Sequence, residues 1–458
     1  MIGLILLLGL ILRLISLNQS FWLDETAQAV LSRAPIFSVN YAADFQPPLY
    51  YVFSHFWMML GNLLTIGQSE WFLRLPSVFF GVPTIYFTYV LAKKLFNEKT
   101  GLLAAGFLSI APFHVYFSQE FRMYSLLTLL CLLSWNAVVS KKWIPLAVIT
   151  AISIYTHYFA FVNVVAIATY LLGTKEKRGF GYLMGGLIPF ALWIPTFIEQ
   201  LQTAKQLVSL WPKWSEVSNV GFVKFFPLLI AKWTVGMISP ENRTVYAISV
   251  ALFALISGGV VMTKRHSRVM LYYGLLPLFI AWLGGLWLPA ATPVRVQFVL
   301  PAIYLMIACG CMRVVLHDNT RKLGLVLITV FCSIQLFFTL DYLFQPKHHR
   351  EDWRGAITYS DKIISEDKTD TSVALTIFSD KWAPMDWYSE YPEKYRGGTS
   401  YIKSIENSAT EHIVLFTYLF EVFDSNKSVE ASLTKNYTVT QEKDFRGVGI
   451  VKTHMKNL

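Results

Sequence analysis

Apolar segments of about 15–20 residues recur along this chain, and their repetition constrains the fold more than any other feature. An α-helix needs about 20 mostly apolar residues to cross a bilayer. Only 15% of the residues are charged, whereas soluble domains are usually near a quarter. The sequence therefore predicts a polytopic membrane protein. We expect about eleven transmembrane helices, at residues 3–17, 75–92, 101–117, 123–140, 143–156, 158–173, 180–198, 244–262, 269–289, 296–312 and 323–340.

Lysine and arginine cluster in every second loop between these predicted spans. The positive-inside rule places such loops in the cytoplasm, which also accounts for the net charge of +10 without nucleic-acid binding. The clusters are Lys93, Lys94 and Lys99; Lys141 and Lys142; Lys175, Lys177 and Arg178; Lys264, Arg265 and Arg268; and Arg313, Arg321 and Lys322. The intervening loops, and the chain after the eleventh span, are then exoplasmic. We expect a multi-pass protein of the plasma membrane.

Two further apolar segments, residues 48–66 and 221–238, would disturb this charge pattern if only one of them crossed the membrane. We therefore predict that the first lies along the exoplasmic surface and that the second is surface-lying or re-entrant. Residues 3–17 have the length of a signal-peptide core. No small-x-small cleavage site follows them, which favours an uncleaved first helix.

The composition changes near residue 342, so we divide the chain into a membrane domain, residues 1–341, and a small exoplasmic α/β domain, residues 342–458. Residues 347–368 have the pattern of an amphipathic helix. Four apolar or alternating runs predict strands at residues 372–379, 412–420, 436–444 and 446–453.

Polar side chains that are costly in lipid all fall at the predicted outer face. They are Arg13; Asp24 and Glu25; Gln46 and Tyr50 in "DFQPPLYY"; Glu120, Arg122 and Tyr124 in "FSQEFRMYS"; His157 in "YTHYF"; and Arg295 in "ATPVRVQFVLP". Their shared position predicts a polar cavity that opens at the outer leaflet.

Five of these residues also have a simpler interpretation. In that interpretation Arg13 would only snorkel to the headgroups, and Asp24 would cap the helix that "DETAQAV" begins. Glu120 and Arg122 would form a structural ion pair, and His157 would be an ordinary interfacial residue. The sequence leaves these alternatives open.

Four motifs in order, "FWLDE" at 21–25, "QPPLYY" at 46–51, "RLPSVFFGV" at 74–82 and "APFHVYFSQEFRMYSL" at 111–126, resemble the bacterial membrane glycosyltransferases of the GT-C fold. The resemblance points to the family related to protein O-mannosyltransferases and to the aminoarabinose transferase of lipid A. It resumes at "VLPAIYLMIACG" and at "EDWRGAITY", residues 351–359. It implies a GT-C fold with surface-lying helices after the first span, a polyprenyl-phosphate-linked sugar donor, and Asp24 as the catalytic base.

Two positions depart from the family pattern. Gln46 stands where members often have His or Lys, and Gln297 with Phe298 stands where members often have Arg-Tyr. A neutral amide cannot neutralise a phosphate, so Arg295 is the alternative source of that cation.

The expected reaction is an inverting transfer of the sugar to an acceptor hydroxyl of a lipid, glycan or protein. Asp24 would remove the hydroxyl proton, and Arg122 or Arg295 would contact the departing phosphate. The remaining substrate-binding residues would be Arg13, Glu25, Gln46, Tyr50, Glu120, Tyr124 and His157.

We expect no cofactor. A divalent ion is the alternative, since Glu120, His157, Asp24 and Glu25 are ligand types without a tight metal-binding spacing. Two other functions compete with the glycosyltransferase: a flippase for a lipid-linked saccharide and a non-catalytic scaffold.

Overall fold

The computed structural model describes residues 1–213, 219–261, 267–287, 291–367, 371–405 and 410–457. The chain forms two compact units. The first contains Met1–Leu17, Asn40–Phe53 and Phe72–His348, and the second contains Asn18–Val39, Ser54–Trp71 and His349–Leu458. Lys264 and Arg265, and the predicted span ends at Met262 and Pro289, lie outside the described residues. The division into domains at residue 341 stays a prediction.

The eleven apolar segments are helical throughout most of their described length. The helices that carry them are Ile2–Leu14, Glu70–Leu95, Glu98–Ser109, Pro112–Phe117, Tyr124–Val139, Trp143–Thr156, Ala160–Gly173, Lys177–Gly185, Ile194–Leu210, Arg243–Val261, Leu276–Gly284, Leu300–Leu316 and Arg321–Phe344.

Prolines explain where predicted spans are interrupted. The third predicted span is broken between Ser109 and Pro112, because Pro112 has no N–H to continue the helical hydrogen bonds and instead begins a new helix. Pro195 likewise begins the Ile194–Leu210 helix after a 3₁₀ turn at Ile188–Trp193.

Four helical stretches of the described chain are long and apolar enough to cross a membrane: Glu70–Leu95, Lys177–Leu210, Gln297–Leu316 and Asp318–Phe344. Seven further apolar helices are shorter. The number of spans and their orientation stay predictions.

The Leu300–Leu316 helix is central to the first unit. Twelve consecutive residues, from Leu300 to Cys311, are buried. A helix that is apolar on every side lies in a protein core or in a bilayer. The burial of this one, which packs against Glu98–Ser109 and Arg321–Phe344, places it in the core of the unit.

The two apolar segments outside the charge pattern are also helical, at Leu49–Leu63 and Phe225–Val235. That the first lies along the exoplasmic surface, and that the second is surface-lying or re-entrant, stays a prediction.

A five-stranded mixed sheet forms the core of the second unit, in the order β2-β1-β3-β5-β4. The strands are β1 Val373–Thr376, β2 Tyr395–Gly397, β3 His412–Phe416, β4 Tyr437–Phe445 and β5 Gly449–Lys456. β1 pairs with β2 and β3 in parallel, whereas β5 pairs with β3 and β4 antiparallel. All four predicted strands are confirmed over part of their length: β3 ends at Phe416, and a helix begins at Phe420, while β5 begins only at Gly449 and continues to Lys456. β2, only three residues long, was not predicted.

Helices pack beside this sheet. They include the predicted amphipathic helix, Trp353–Glu366, and the short helices Ala383–Tyr388, Gly398–Ile405, Phe420–Phe423 and Ser428–Leu433. Trp353, Ile357 and Ile364 recur at helical spacing and join the apolar core with strand residues such as Val414 and Val451.

Candidate active site

The Asp24–Glu25 pair lies in the first turn of the Leu23–Arg33 helix, in the second unit. Trp22 is the N-cap residue, and its backbone N–H donates to Glu25 Oε2 at 3.4 Å. Glu25 therefore accepts the hydrogen bond of the N-cap residue. The alternative that Asp24 is the N-cap is wrong, because the helix begins at Leu23, one residue before Asp24. Asp24 lies where the helix dipole favours a negative charge.

Glu25 is buried beside a second charged residue. Its Oε2 lies 3.9 Å from Nε of Arg350, and both side chains are almost fully buried. These contacts favour a structural role for Glu25, while its predicted contact with substrate stays a prediction.

Glu351 fixes the start of the helix that carries Asp24. Its Oε2 accepts hydrogen bonds from the Leu23 backbone N–H at 3.1 Å and from Trp353 Nε1 at 2.6 Å, and its Oε1 accepts from the Tyr418 hydroxyl at 2.9 Å. Burial raises the pKa of Glu351, and the nearby charge of Asp24 raises it further. Glu351 is therefore a buried acceptor for three donors and an electrostatic neighbour of Asp24.

Arg354, three residues after Glu351, makes further contacts with the residues that precede the Leu23–Arg33 helix and with Glu70. Its guanidinium donates to Glu70 Oε1 at 2.9 Å and to the Asn18 carbonyl at 3.2 Å, and its backbone N–H donates to Ser20 Oγ at 3.0 Å. Tyr388 donates to the same Glu70 oxygen at 3.1 Å. The motif "EDWRGAITY" contains both Glu351 and Arg354, but nothing in its pattern predicts these contacts.

In the first unit, the loop that carries Glu120 and Arg122 is attached to the Glu70–Leu95 helix. The Ser77 hydroxyl donates to the Glu120 carbonyl, and the Ser125 hydroxyl donates to the Ser77 carbonyl at 2.9 Å. Gly81 permits this close approach, since a Cβ there would lie 2.3 Å from Ser118 Oγ. The motif "RLPSVFFGV" thus holds the loop in place, and both predicted site residues are buried.

His157 lies in the turn between the Trp143–Thr156 and Ala160–Gly173 helices, and its ring is 5.7 Å from that of Tyr124. Burial, followed by the positive charges of Arg295 and Arg122, lowers the pKa of His157 to about 3. The backbone N–H of Phe159 donates to Nδ1 at 3.0 Å, which assigns the ring proton to Nε2. The positive charges of Arg122 and Arg295, which are far apart in sequence, therefore both disfavour the protonated form of His157.

Gln46 belongs to a segment that is held by Gln200. Gln200 Nε2 donates to the carbonyls of Tyr41, at 2.7 Å, and of Gln46, at 3.0 Å. The hydroxyl of Tyr158 donates to Gln200 Oε1 and accepts from Trp193 Nε1 at 2.9 Å. Gln200 was not predicted from the sequence, where it is one of three glutamines in its helix and no pattern distinguishes it from the other two.

Tyr50 connects two of the motifs. It is buried, and its ring lies 6.2 Å from that of Phe121, between Glu120 and Arg122. The "QPPLYY" and "QEFRMY" motifs are therefore in contact.

Arg13 is fully buried, and its guanidinium is surrounded by protein groups. It donates to the carbonyls of Gly9 at 2.8 Å and Ser109 at 3.0 Å, and lies 2.6 Å from Nδ1 of His114. These contacts favour a structural role, which joins the first helix to the C-terminus of Glu98–Ser109. Arg13 as a substrate ligand stays a prediction.

At the departure from the family pattern, Gln297 is buried and its Nε2 has no hydrogen-bond partner within the described chain. The Phe298 carbonyl accepts from the Tyr273 hydroxyl at 2.9 Å. An amide donor therefore stands where the family often places a cation.

Among the described residues, no group of three or more His, Cys, Asp or Glu side chains is arranged to hold a metal ion. The absence of a cofactor stays a prediction.

Comparison with known proteins identifies related folds. The family model for dolichyl-phosphate-mannose-protein mannosyltransferases matches residues 46–198. ArnT from Cupriavidus metallidurans is similar with a TM-score of 0.61 and 12% identity, over 98% of this chain and 97% of that chain. Its structure bound to undecaprenyl phosphate gives a TM-score of 0.57 and 13% identity, over the same shares of both chains.

The Archaeoglobus fulgidus oligosaccharyltransferase has a TM-score of 0.55 and 12% identity, over 94% of this chain and 71% of that chain. No curated protein sequence matches at a significant level. At such identities the structural likeness establishes the fold alone.

Proposed function

We propose that the chain is an inverting membrane glycosyltransferase. The proposal is supported by the GT-C fold that it shares with ArnT and by the match of residues 46–198 to the family model for dolichyl-phosphate-mannose-protein mannosyltransferases. The donor is a polyprenyl-phosphate-linked sugar, and the acceptor is a hydroxyl group at the outer face of the plasma membrane.

The observation that carries the proposal is that the positive charges of Arg122 and Arg295 both lower the pKa of His157, after burial, and that the ring of His157 lies 5.7 Å from that of Tyr124, two residues beyond Arg122. Two guanidinium groups suit a departing phosphate, because their planar donors pair with its oxygens and their charge offsets the developing negative charge. His157, neutral with its proton on Nε2, adds a hydrogen-bond donor there without a third positive charge.

The reaction needs one base and no strong acid. The Asp24 carboxylate removes the acceptor proton as the acceptor oxygen forms a bond to the anomeric carbon. The bond between that carbon and the phosphate oxygen breaks, and the electron pair leaves with polyprenyl phosphate. A single displacement from the opposite face inverts the anomeric centre. Gln46, Tyr50, Glu120 and Tyr124 would position the two substrates.

Asp24→Asn tests the assignment of the base. We expect transfer to fall about 10²–10⁴-fold, because the amide cannot accept the proton. The assay incubates the protein in nanodiscs with labelled undecaprenyl-phosphate sugars and measures release of free undecaprenyl phosphate. Thermal unfolding of the variant controls for folding. Transfer by this variant at close to the wild-type rate would eliminate Asp24 as the base.

The protein in sealed vesicles, supplied with the same labelled donor, distinguishes sugar transfer from flipping of the donor lipid. A glycosyltransferase releases free polyprenyl phosphate, whereas a flippase moves the intact sugar lipid to the opposite leaflet. Movement of intact donor without release would contradict the proposed function.

A further inference from the structure

A groove of about 370 Å³ lies in the first unit, between the Phe225–Val235 helix and the start of the Arg243–Val261 helix. Leu228, Val235 and Ile238 contribute apolar walls, and Lys232, Arg243 and Tyr246 contribute polar groups. We name it the Lys232–Arg243 groove. Its lining includes none of the residues assigned above to catalysis or to the donor.

The charges of the groove are not balanced by the protein. No acidic residue lines it, and within the described chain neither Lys232 nor Arg243 has a hydrogen-bond or ion-pair partner through its side chain. The nearby carboxylate of Glu241 is paired with Lys347 at 2.9 Å. Lys232 is half-buried, and a buried cation without a counter-charge is unfavourable. The groove therefore favours an anion supplied from outside the chain.

The surroundings of the groove are apolar and exposed. Val245 and Ile248, on the helix that carries Arg243, are 40% and 54% exposed, and Phe226 on the other helix is 37% exposed. In an integral membrane protein such side chains face lipid tails. A ligand that fits this surface has an anionic headgroup and an apolar tail.

We propose that the Lys232–Arg243 groove binds an anionic phospholipid of the bilayer, with its headgroup phosphate between the two cations. A phosphate matches the planar donor fork of Arg243 and the point charge of Lys232. Tyr246, which also lines the groove, supplies a hydroxyl, and the apolar walls take the first part of the acyl chains. A bilayer phospholipid is favoured over the sugar donor because the groove contains no residue of the donor site and lies beside lipid-exposed side chains.

Native mass spectrometry of the protein from nanodiscs with equal amounts of phosphatidylglycerol and phosphatidylcholine tests this site. We expect the wild type to retain phosphatidylglycerol, and the double variant Lys232→Gln, Arg243→Gln to retain it roughly 10–30-fold less. Lys224→Gln is the matched control, since Lys224 is an exposed lysine that precedes the same helix and does not line the groove. This control should retain the lipid as the wild type does.

Two additional variants keep the test decisive if the double variant folds poorly. Arg243→Gln alone alters an exposed residue and should weaken retention in part. Exchange of the two cations, Lys232→Arg with Arg243→Lys, preserves the charge and should keep the lipid.

Equal retention by the wild type and by folded Arg243→Gln would overturn the proposal, as would equal losses in the groove variants and in Lys224→Gln. Undecaprenyl phosphate is added in a separate titration. If the groove variants lose that lipid while they keep phosphatidylglycerol, the groove is part of the donor path and the proposal is wrong.

Discussion

Glu351 should contribute to stability through the three donors that it accepts, and its negative charge should contribute little. In Glu351→Ala the Leu23 N–H, the Trp353 indole and the Tyr418 hydroxyl all lose their acceptor. A buried donor without a partner costs about 1–3 kcal/mol, so we expect a loss of about 3 kcal/mol or more.

Glu351→Gln is the matched variant. Its amide oxygen accepts from Leu23 and Trp353, and its amide nitrogen donates to the Tyr418 oxygen after the hydroxyl rotates. Because all three contacts survive and no charge is buried, we expect a change within about 1 kcal/mol near neutral pH.

The two stabilities should also differ in their dependence on pH. Burial raises the pKa of Glu351 above its ordinary value of 4.5, so the folded protein holds this proton more tightly than the unfolded chain. The wild type therefore loses stability as the pH rises from about 4.5 through the raised pKa, whereas Glu351→Gln does not. The variant should gain relative to the wild type over that interval.

Thermal unfolding of the purified protein in detergent, from pH 4.5 to 8, measures both effects. Because membrane proteins often unfold irreversibly, variants are compared at one heating rate. Equal destabilisation by Ala and by Gln would refute the reasoning, since it would mean that the charge and not the acceptor stabilises the fold. A relative gain of Gln at low pH would refute the sign of the pKa shift.

Two further predictions concern buried polar residues away from Glu351. Arg13→Met should destabilise the protein by about 2–5 kcal/mol, because the carbonyls of Gly9 and Ser109 lose a charged donor. Arg13→Lys should recover only part of this loss. Thermal unfolding measures both variants, and an unchanged unfolding temperature in Arg13→Met would contradict the role given to these hydrogen bonds. Burial lowers the pKa of His454 on β5 below its ordinary value of 6.5, so the unfolded chain binds the proton more tightly than the folded protein. The wild type should therefore lose stability as the pH falls below about 6.5, and His454→Leu should lose less. Thermal unfolding between pH 7 and 5 measures the difference. A steeper loss in the variant would show that His454 is not buried as a neutral ring.

The helices were predictable because their signal is local. Each apolar segment contains the hydropathy that makes it helical in a membrane. The interruptions at Pro112 and Pro195 were not predicted, because a proline alone does not decide the point, as Pro76 and Pro83 lie inside a continuous helix. The strands β1 and β3 were predictable for the same reason, since short apolar runs bounded by turn residues fit a buried strand.

The site was predictable only in part, because its contacts join residues that are far apart in sequence. The motifs identified the Glu120–Arg122 loop and His157, but not that Gln200 holds the segment of Gln46. Nor did they show that Glu351 caps the helix of Asp24. Helix capping also depends on the exact first residue of a helix, and sequence patterns locate such boundaries only to within a few residues. For that reason Asp24, one position inside the helix, was considered as a cap.

The second unit is built from segments that lie far apart in sequence, and this has a consequence for biosynthesis. Asn18–Val39 leaves the ribosome about 300 residues before His349–Leu458, with which it shares a unit. During that interval the Leu23 N–H and Gln19 lack Glu351 and Arg350, their partners in the finished protein. β5, which joins β3 to β4, is translated later still. The segment that carries Asp24 and Glu25 therefore lacks these partners until residues 349–458 have been made, and a premature stop before Gly449 would leave it without a completed sheet to hold its partners.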